Sequence, residues 1–163
     1  MSEEKPAPRP LIRSRDRGPE ETYSHPLNPS SLIHGVSLSQ PAGLVRIGVH
    51  FVRVPPGKES FVYHLHHGEE EWLYILSGRG IADIDDQEHE VGPGDFMGFA
   101  TPSVGHTLRN PFDEDLVYLM GGESKEVEIA DLPRHGKRMV RRGQQVSLHP
   151  LDSAETLDPY PAL

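Results

Sequence analysis

The sequence predicts an all-β domain of short antiparallel strands with little helix. Gly and Pro number 16 each among 163 residues, whereas an average protein holds roughly 12% of the two together, and this excess indicates many turns. From Leu44 onward, short apolar segments alternate with turn residues at intervals of roughly 8–12 residues. No window of helical length carries an apolar stripe with a period of 3.6 residues. These observations favour a β-sandwich or a β-barrel.

Each predicted strand is an apolar run that ends at turn residues. The run at 46–54 stops at Pro55-Pro56-Gly57, because proline lacks a backbone donor and glycine favours turns. Asp85-Asp86-Gln87 separates two short runs and predicts a hairpin turn. The predicted strands cover residues 46–54, 60–66, 71–76, 80–84, 88–91, 96–99, 106–109 and 116–120.

The chain is predicted to have four parts. Residues 1–21 are rich in proline and charge and predict a flexible N-terminal arm. Residues 22–44 form an N-terminal wrap, residues 45–122 the core barrel, and residues 123–163 a C-terminal extension. The end of this extension, from about Val140, is polar and predicts a peripheral strand or wrap.

Charge and composition exclude several classes of function. The formal net charge is −9, and the segment from Pro56 to Glu128 holds 16 acidic and 4 basic residues. This balance excludes nucleic acid and anionic membrane as main partners. The chain has no cysteine, so thiol nucleophiles, disulfides and thiolate zinc sites are also excluded. No apolar run approaches the ~18 residues of a membrane span and no signal-peptide core is present, so we expect a cytoplasmic protein.

The candidate site residues are found among the ten histidines. In the run at 60–66, strand alternation places Val62, His64 and His66 on one face. Two such imidazoles, ~6.6–7 Å apart along the strand, can converge on one ion. A metal site needs further ligands from neighbouring strands, and the acidic triple at 69–71 and His106 are available. A pair of surface histidines is the alternative interpretation.

These residues resemble the two sequence motifs of the cupin superfamily. The resemblance extends over roughly 45–122 and implies an antiparallel double-stranded β-helix, the jelly-roll barrel. The first motif is similar to Gly57 followed by His64-x-His66-x4-Glu71-x6-Gly78, and the second is similar to Gly94-Asp95-Phe96-Met97-Gly98-Phe99 followed by His106-x3-Asn110.

The resemblance implies a metal site held by His64, His66, Glu71 and His106. The motif spacing selects Glu71 from the acidic triple, with Glu70 as the fallback, and Glu69 is expected to face solvent. Three imidazoles and one carboxylate suit a divalent first-row ion such as Mn, Fe, Ni, Zn or Co. Four protein ligands on an octahedral ion leave two open positions, as catalytic and ligand-binding sites require.

The resemblance implies a single-domain metal-binding cupin. We expect a metal-dependent enzyme of dioxygenase, isomerase or lyase type that acts on a small polar metabolite. A non-catalytic module that binds a sugar-like molecule is the alternative, since the fold alone does not choose between them. The resemblance also favours a homodimer, and Trp72 and Tyr74 are expected to be packing or interface residues. His50 is predicted either to line the cavity or to lie outside it or in the core, whereas His67 is expected at the surface.

Overall fold

A computed structural model describes residues 7–153 and residue 155 of the chain. Within this part the structure has fourteen β-strands, one short α-helix and three 3-10 turns. None of the helices in this part is long and apolar enough to cross a bilayer. The strands and the helix are β1 (Glu21–Tyr23), β2 (Ile33–Ser37), α1 (Ser39–Ala42), β3 (Ile47–Val54), β4 (Lys58–Glu59), β5 (Leu65–His66), β6 (Glu71–Ser77), β7 (Gly80–Ile84), β8 (Gln87–Val91), β9 (Phe96–Phe99), β10 (His106–Asn110), β11 (Leu116–Glu123), β12 (Val127–Leu132), β13 (Lys137–Arg142) and β14 (Gln145–Pro150).

The strands form three antiparallel sheets. A six-stranded sheet has the order β1-β2-β3-β11-β6-β9, and two four-stranded sheets have the orders β4-β10-β7-β8 and β14-β13-β12-β5. The longest ladder joins β3 to β11 over eight residue pairs, from Ile47 opposite Glu123 to Val54 opposite Leu116. The predicted antiparallel all-β jelly-roll architecture is therefore confirmed.

The hydrophobic core lies on the inward faces of the six-stranded sheet and of the sheet that contains β7 and β10. Val54, Ile75 and Leu116 are each 0% exposed. Along β3 and β6 the buried residues alternate with more exposed neighbours, as the period of two in a strand requires. Burying one such aliphatic side chain stabilises the fold by ~1.5–3 kcal/mol. The core therefore fixes the positions of the strands that carry the candidate site.

Two turns explain residue choices seen in the sequence. Asp85 and Asp86 have φ of 51° and 59°, the left-handed values that a two-residue type I′ hairpin turn needs between β7 and β8. The predicted hairpin is therefore confirmed. At the end of β6, Gly78 has φ of 74°, and a Cβ at this position would lie 2.1 Å from the Asp115 carbonyl oxygen. Only glycine fits this close approach of two backbones.

The predicted strand at 60–66 was too long, because this segment changes its hydrogen-bonding partner. Its start pairs with β10, where the Ser60 N–H donates to the Leu108 carbonyl. At His64 the backbone exchanges two hydrogen bonds with His106. Only Leu65–His66 forms a strand, and it pairs with β12 instead. A segment that crosses between two sheets cannot form one uniform ladder.

The segments that flank residues 45–122 contact the barrel. β1, which begins at the last residue of the predicted arm, and β2 in the predicted wrap extend the six-stranded sheet. In the predicted arm, the Arg17 guanidinium lies 4.3 Å from the centre of the Phe51 ring, and Glu20 pairs with Arg53 at 2.8 Å. In the predicted extension, β12, β13 and β14 form a sheet with β5. Residues 1–6 of the arm, and residues 154 and 156–163 of the extension, lie outside the described residues, and the four-part division stays a prediction.

Candidate metal centre

The structure brings the four predicted ligand side chains together. Glu71 Oε2 lies 2.9 Å from His106 Nε2, 3.4 Å from His66 Nε2 and 3.7 Å from His64 Nε2. One ligand atom from each residue lies within 4.8 Å of the others. The Glu71 side chain is 16% exposed. The cluster is therefore compact and largely shielded from solvent.

Three of these side chains enter from strands, and His64 enters from an isolated antiparallel bridge to His106 just before β5. Glu71 is the first residue of β6, and His106 is the first residue of β10. The backbone of His64 is bonded to that of His106 in both directions, at 3.1 and 2.8 Å. His66 lies in β5, and its N–H donates to the Ser103 hydroxyl at 2.7 Å. Phe99 stacks on the His106 ring with centroids 3.7 Å apart and planes 6° from parallel, which holds that ring in place.

The hydrogen bonds at Nδ1 determine which nitrogen of each histidine is free. His64 Nδ1 lies 2.8 Å from the Val62 carbonyl oxygen, and His106 Nδ1 lies 3.0 Å from the Val104 carbonyl oxygen. A carbonyl only accepts, so Nδ1 carries the proton in both rings and Nε2 of the neutral ring presents a lone pair. His66 Nδ1 lies 3.2 Å from Glu128 Oε1 and donates in the same way. All three Nε2 atoms are thus presented to the Glu71 carboxylate.

This arrangement fits a bound divalent ion. Three lone pairs and a carboxylate that face one another are all acceptors, so a cation or a proton has to lie between them. Two ligands ~2.1 Å from one ion and at right angles to each other are roughly 3 Å apart, near the observed separations between Glu71 and the imidazoles. Nitrogen and carboxylate donors suit first-row transition metals. The donor set therefore matches the expected cofactor class.

The ionisation of the cluster supports the same conclusion. Burial acts to raise the pKa of Glu71, but its hydrogen bonds with His106, His64 and His66 lower this pKa well below its usual range. Burial acts to lower the pKa of His66, but the hydrogen bond and the charge of Glu71, together with Glu128, raise it. The ionised Glu71 carboxylate therefore favours a positive charge between itself and the imidazoles, which a bound ion or protons on the Nε2 atoms would supply.

A cavity of about 170 Å³ opens beside the cluster. His50 lies on its wall, so the cavity-lining option predicted for this residue is the observed one. Burial lowers the pKa of His50, and this imidazole is consequently neutral at neutral pH. The wall holds four carboxylates and no lysine or arginine. It is lined by Gly48, His50, His66, Glu69, Glu70, Glu71, Met120, Gly121, Gly122 and Glu123.

Glu69 and Glu70 lie outside the four-residue cluster, but Glu69 forms a second group with His66 and Glu128 in which one ligand atom from each residue lies within 4.8 Å of the others. Glu70 is exposed, and its backbone N–H donates to the Glu123 carboxylate at 3.1 Å. The prediction that Glu69 faces solvent was wrong, because its side chain is 13% exposed and pairs with Arg141. Glu69 Oε1 also accepts from the Lys125 N–H at 2.6 Å.

Two further predictions concern residues near the cluster. His67 is exposed, as expected, and its Nε2 pairs with Asp131 at 2.9 Å. Trp72 stacks on Phe96 at 6.3 Å, on the opposite side of β6 from the buried Leu73, which fits its predicted packing role.

Glu128 is an ionisable residue in contact with the cluster that the sequence analysis missed. Glu128, in β12, has a side chain that is 1% exposed and bonds to His66. Strand alternation places Glu128 on the same side as Ala130 and Leu132, which are buried. An acidic residue on the apolar face of a strand was therefore the available signal.

Comparisons with known proteins identify the class of protein. The cupin domain family matches residues 50–122. A provisionally assigned sugar phosphate isomerase from Acidithiobacillus ferrooxidans has 34% sequence identity and a TM-score of 0.88, over 91% of this chain and 97% of that one. The chain belongs to the cupin superfamily.

Two further relatives are more distant. A sugar phosphate isomerase of the cupin superfamily from Silicibacter pomeroyi is 24% identical, with a TM-score of 0.75 over 86% of this chain and 91% of that one. This likeness shows the fold alone. An uncharacterized protein from Methanocaldococcus jannaschii is 37% identical over 57 residues, which make up 35% of this chain and 44% of that protein. The match thus spans less than half the length of that curated relative.

Proposed function

We propose that this protein is a metal-dependent enzyme that acts on a small polar metabolite, with His64, His66, Glu71 and His106 as the metal ligands. The observation that carries the proposal is the set of Nδ1 hydrogen bonds, which leaves three Nε2 atoms directed at one carboxylate oxygen. A divalent first-row ion bound there would polarise a substrate oxygen. Four protein ligands leave room for that oxygen on an octahedral ion.

The cavity wall supports a hydroxyl-rich metabolite. The exposed Glu70 carboxylate on this wall is an acceptor, and hydroxyl groups are donors that match it, whereas the Glu69 and Glu123 carboxylates pair with Arg141 and Lys125. The likeness to the provisionally assigned sugar phosphate isomerase from Acidithiobacillus ferrooxidans, at 34% identity over 97% of that chain, also supports a sugar-like molecule. We therefore expect several hydroxyl groups on the part of the metabolite nearest the cluster.

Among the three expected reaction types, we favour isomerase chemistry. His50 is an imidazole on the cavity wall outside the ligand set. Its lowered pKa keeps it unprotonated at neutral pH, so it is able to accept a proton from the substrate. Isomerisation of a hydroxy-carbonyl compound through an enediol uses such a base, which removes a proton from one carbon and returns it to the adjacent carbon. In this proposal His50 moves the proton while the four ligands hold the ion.

The test combines elemental analysis with an activity assay. Protein purified without a tag should contain one first-row ion per chain, and His106→Ala should lose it. Loaded protein should then isomerise sugars or sugar phosphates in a panel, and His50→Gln should lower kcat while the metal content stays unchanged. Full metal occupancy in His106→Ala would contradict the ligand set. Saturable binding of a sugar without turnover would instead support the non-catalytic binding module.

We also propose a homodimer formed through the outer face of β6 and β9. This face presents Tyr74, Leu76 and Phe96, which are 39%, 38% and 64% exposed. Trp72 stacks beside Phe96 and extends the same apolar surface. Adjoining exposed apolar side chains of this kind mark interaction surfaces.

Sedimentation velocity measures the oligomeric state directly. Phe96→Asp should convert the dimer to a monomer. Val146→Asp is the matched control, because Val146 is 58% exposed on β14, away from this face. A monomeric parent protein would refute the proposed dimer.

A further inference from the structure

We propose that Glu128 is a positioning residue for the metal centre, because its carboxylate accepts the Nδ1 proton of His66 and so fixes and strengthens that ligand. The inference rests on the proposed function, since it requires His66 to bind an ion through Nε2. Glu128 lies beyond residues 50–122, the part that matches the cupin domain family. The C-terminal extension would thus contribute directly to the site.

Strand pairing brings Glu128 to His66. β12 pairs with β5 so that Ala130 lies opposite His66, and the His67 N–H donates to the Ile129 carbonyl at 2.9 Å. Glu128 is two residues from Ala130 and on the same side of the strand, which makes it the diagonal neighbour of His66. Diagonal pairs are within reach of long side chains. The ladder thus determines this contact.

The Glu128 carboxylate is buried with few partners. Its side chain is 1% exposed. Oε1 accepts from His66 Nδ1 at 3.2 Å and from the Gly68 N–H at 3.3 Å. Oε2 has no hydrogen-bond partner within the described part of the chain. A buried carboxylate is costly without a compensating positive charge, and an ion on the far side of the His66 ring would supply that charge.

Gly68 leaves the space that this carboxylate occupies. A Cβ at position 68 would lie 2.7 Å from Glu128 Oε2. A side chain there would displace the carboxylate from His66. The absence of a side chain at Gly68 therefore allows the Glu128 carboxylate to reach His66.

The contact distinguishes His66 from the other two imidazoles. His64 and His106 donate from Nδ1 to neutral backbone carbonyls, whereas His66 donates to a carboxylate. Hydrogen bonds to an ionised acceptor are roughly twice as strong as neutral ones, and a carboxylate partner raises the basicity of a metal-ligating imidazole. A divalent ion together with the Glu71 and Glu128 carboxylates also gives a neutral centre.

Metal affinity measured on the full chain tests the proposal. Competition with a chromogenic chelator gives the Kd for Zn²⁺ and Co²⁺. Glu128→Gln keeps an acceptor but loses the charge, and Glu128→Leu loses both, so losses of about 10-fold and up to about 100-fold are expected. Glu128→Gln should also shift the visible absorption bands of bound Co²⁺, because the donor strength of one ligand changes.

Two further variants separate positioning from stability. Asp131→Asn is the matched control, because Asp131 lies in the same strand, has a side chain that is 11% exposed and pairs with a histidine outside the ligand set, His67. It should leave the Kd within about twofold, well short of the loss expected from a residue that supports a ligand. Gly68→Ala should weaken metal binding as Glu128→Gln does, because the added Cβ displaces the Glu128 carboxylate without changing its charge. This variant keeps the test decisive if Glu128→Leu fails to fold.

The possible outcomes separate this inference from the proposed function. Parent-like affinity and an unchanged Co²⁺ spectrum in Glu128→Gln and Gly68→Ala would overturn the role of Glu128 while the metal centre stands. An equal loss in Asp131→Asn would overturn it as well. Two ions bound by the parent and one by Glu128→Gln would make Glu128 a ligand rather than a positioning residue. A parent protein that binds no ion would overturn both proposals.

Discussion

Phe99 gives the sharpest test of how the core supports the metal centre. Its ring is 6% exposed and lies 3.7 Å from the His106 ring, with the two planes 6° apart. Phe99→Ala should cost ~3–5 kcal/mol in the free energy of unfolding, because burial is lost and a cavity forms. At ~2–4 °C per kcal/mol for a chain of this size, the Tm should fall by roughly 6–20 °C.

The same substitution should weaken metal binding, because the His106 ring loses the surface against which it stacks. Leu108→Ala is the control: Leu108 is 3% exposed and lies in β10 with His106, and its removal should cost ~2–5 kcal/mol. Thermal unfolding followed by circular dichroism reports stability, and chelator competition reports affinity. Phe99→Leu retains apolar contact without the stacking if the alanine variant is too unstable. Equal metal affinity in Phe99→Ala and Leu108→Ala would refute the reasoning.

Three further predictions address the ion, a turn and an ion pair. With the ion at about 100 times its Kd, binding should stabilise the fold by ~2.7 kcal/mol, so EDTA should lower the Tm of the parent but not that of His64→Ala. Gly78→Ala should lower the urea midpoint of unfolding, because Gly78 has φ of 74° and a Cβ there would lie 2.1 Å from the Asp115 carbonyl oxygen. Gly92→Ala is the control and should have little effect, because a Cβ at position 92 would meet no atom within 4 Å. The hydrogen bond from Arg138 outweighs burial and lowers the pKa of Asp131 below its ordinary 3.8. The ionised Asp131 therefore stabilises the fold above pH 3.8, and this contribution is lost as the pH falls through the lower pKa of the folded state. The acid-unfolding curve of Asp131→Asn should lack this contribution.

The sequence predicted the features that depend on local patterns. Alternation and turn residues located most strands, and the Asp85-Asp86 hairpin follows from residues that tolerate a left-handed backbone. The resemblance to the cupin motifs implied four ligand side chains, which the structure brings within 4.8 Å of one another. These features could be predicted because strand periodicity and motif spacing depend on residues that are close together in the sequence.

Other features depend on contacts between distant residues. Glu69 looks like one of three equivalent acidic residues, yet Arg141, far along the chain, removes it from solvent. The partner change near His64 requires knowledge of two separate sheets. The contact between His66 and Glu128 depends on how β12 aligns with a strand of only two residues. No local pattern determines which distant strands become neighbours.

The pairing of β5 with β12 has a consequence for the order in which the site is built. His64, His66, Glu71 and His106 all leave the ribosome before β12, which carries the edge partner of β5. A nascent chain ending near residue 122 would hold all four histidine and glutamate side chains but no backbone partner for that edge of the ligand strand. Such a fragment would keep the four candidate ligands. It would lack both the strand that pairs with β5 and the Glu128 contact to His66, because both come from the later-synthesised C-terminal segment.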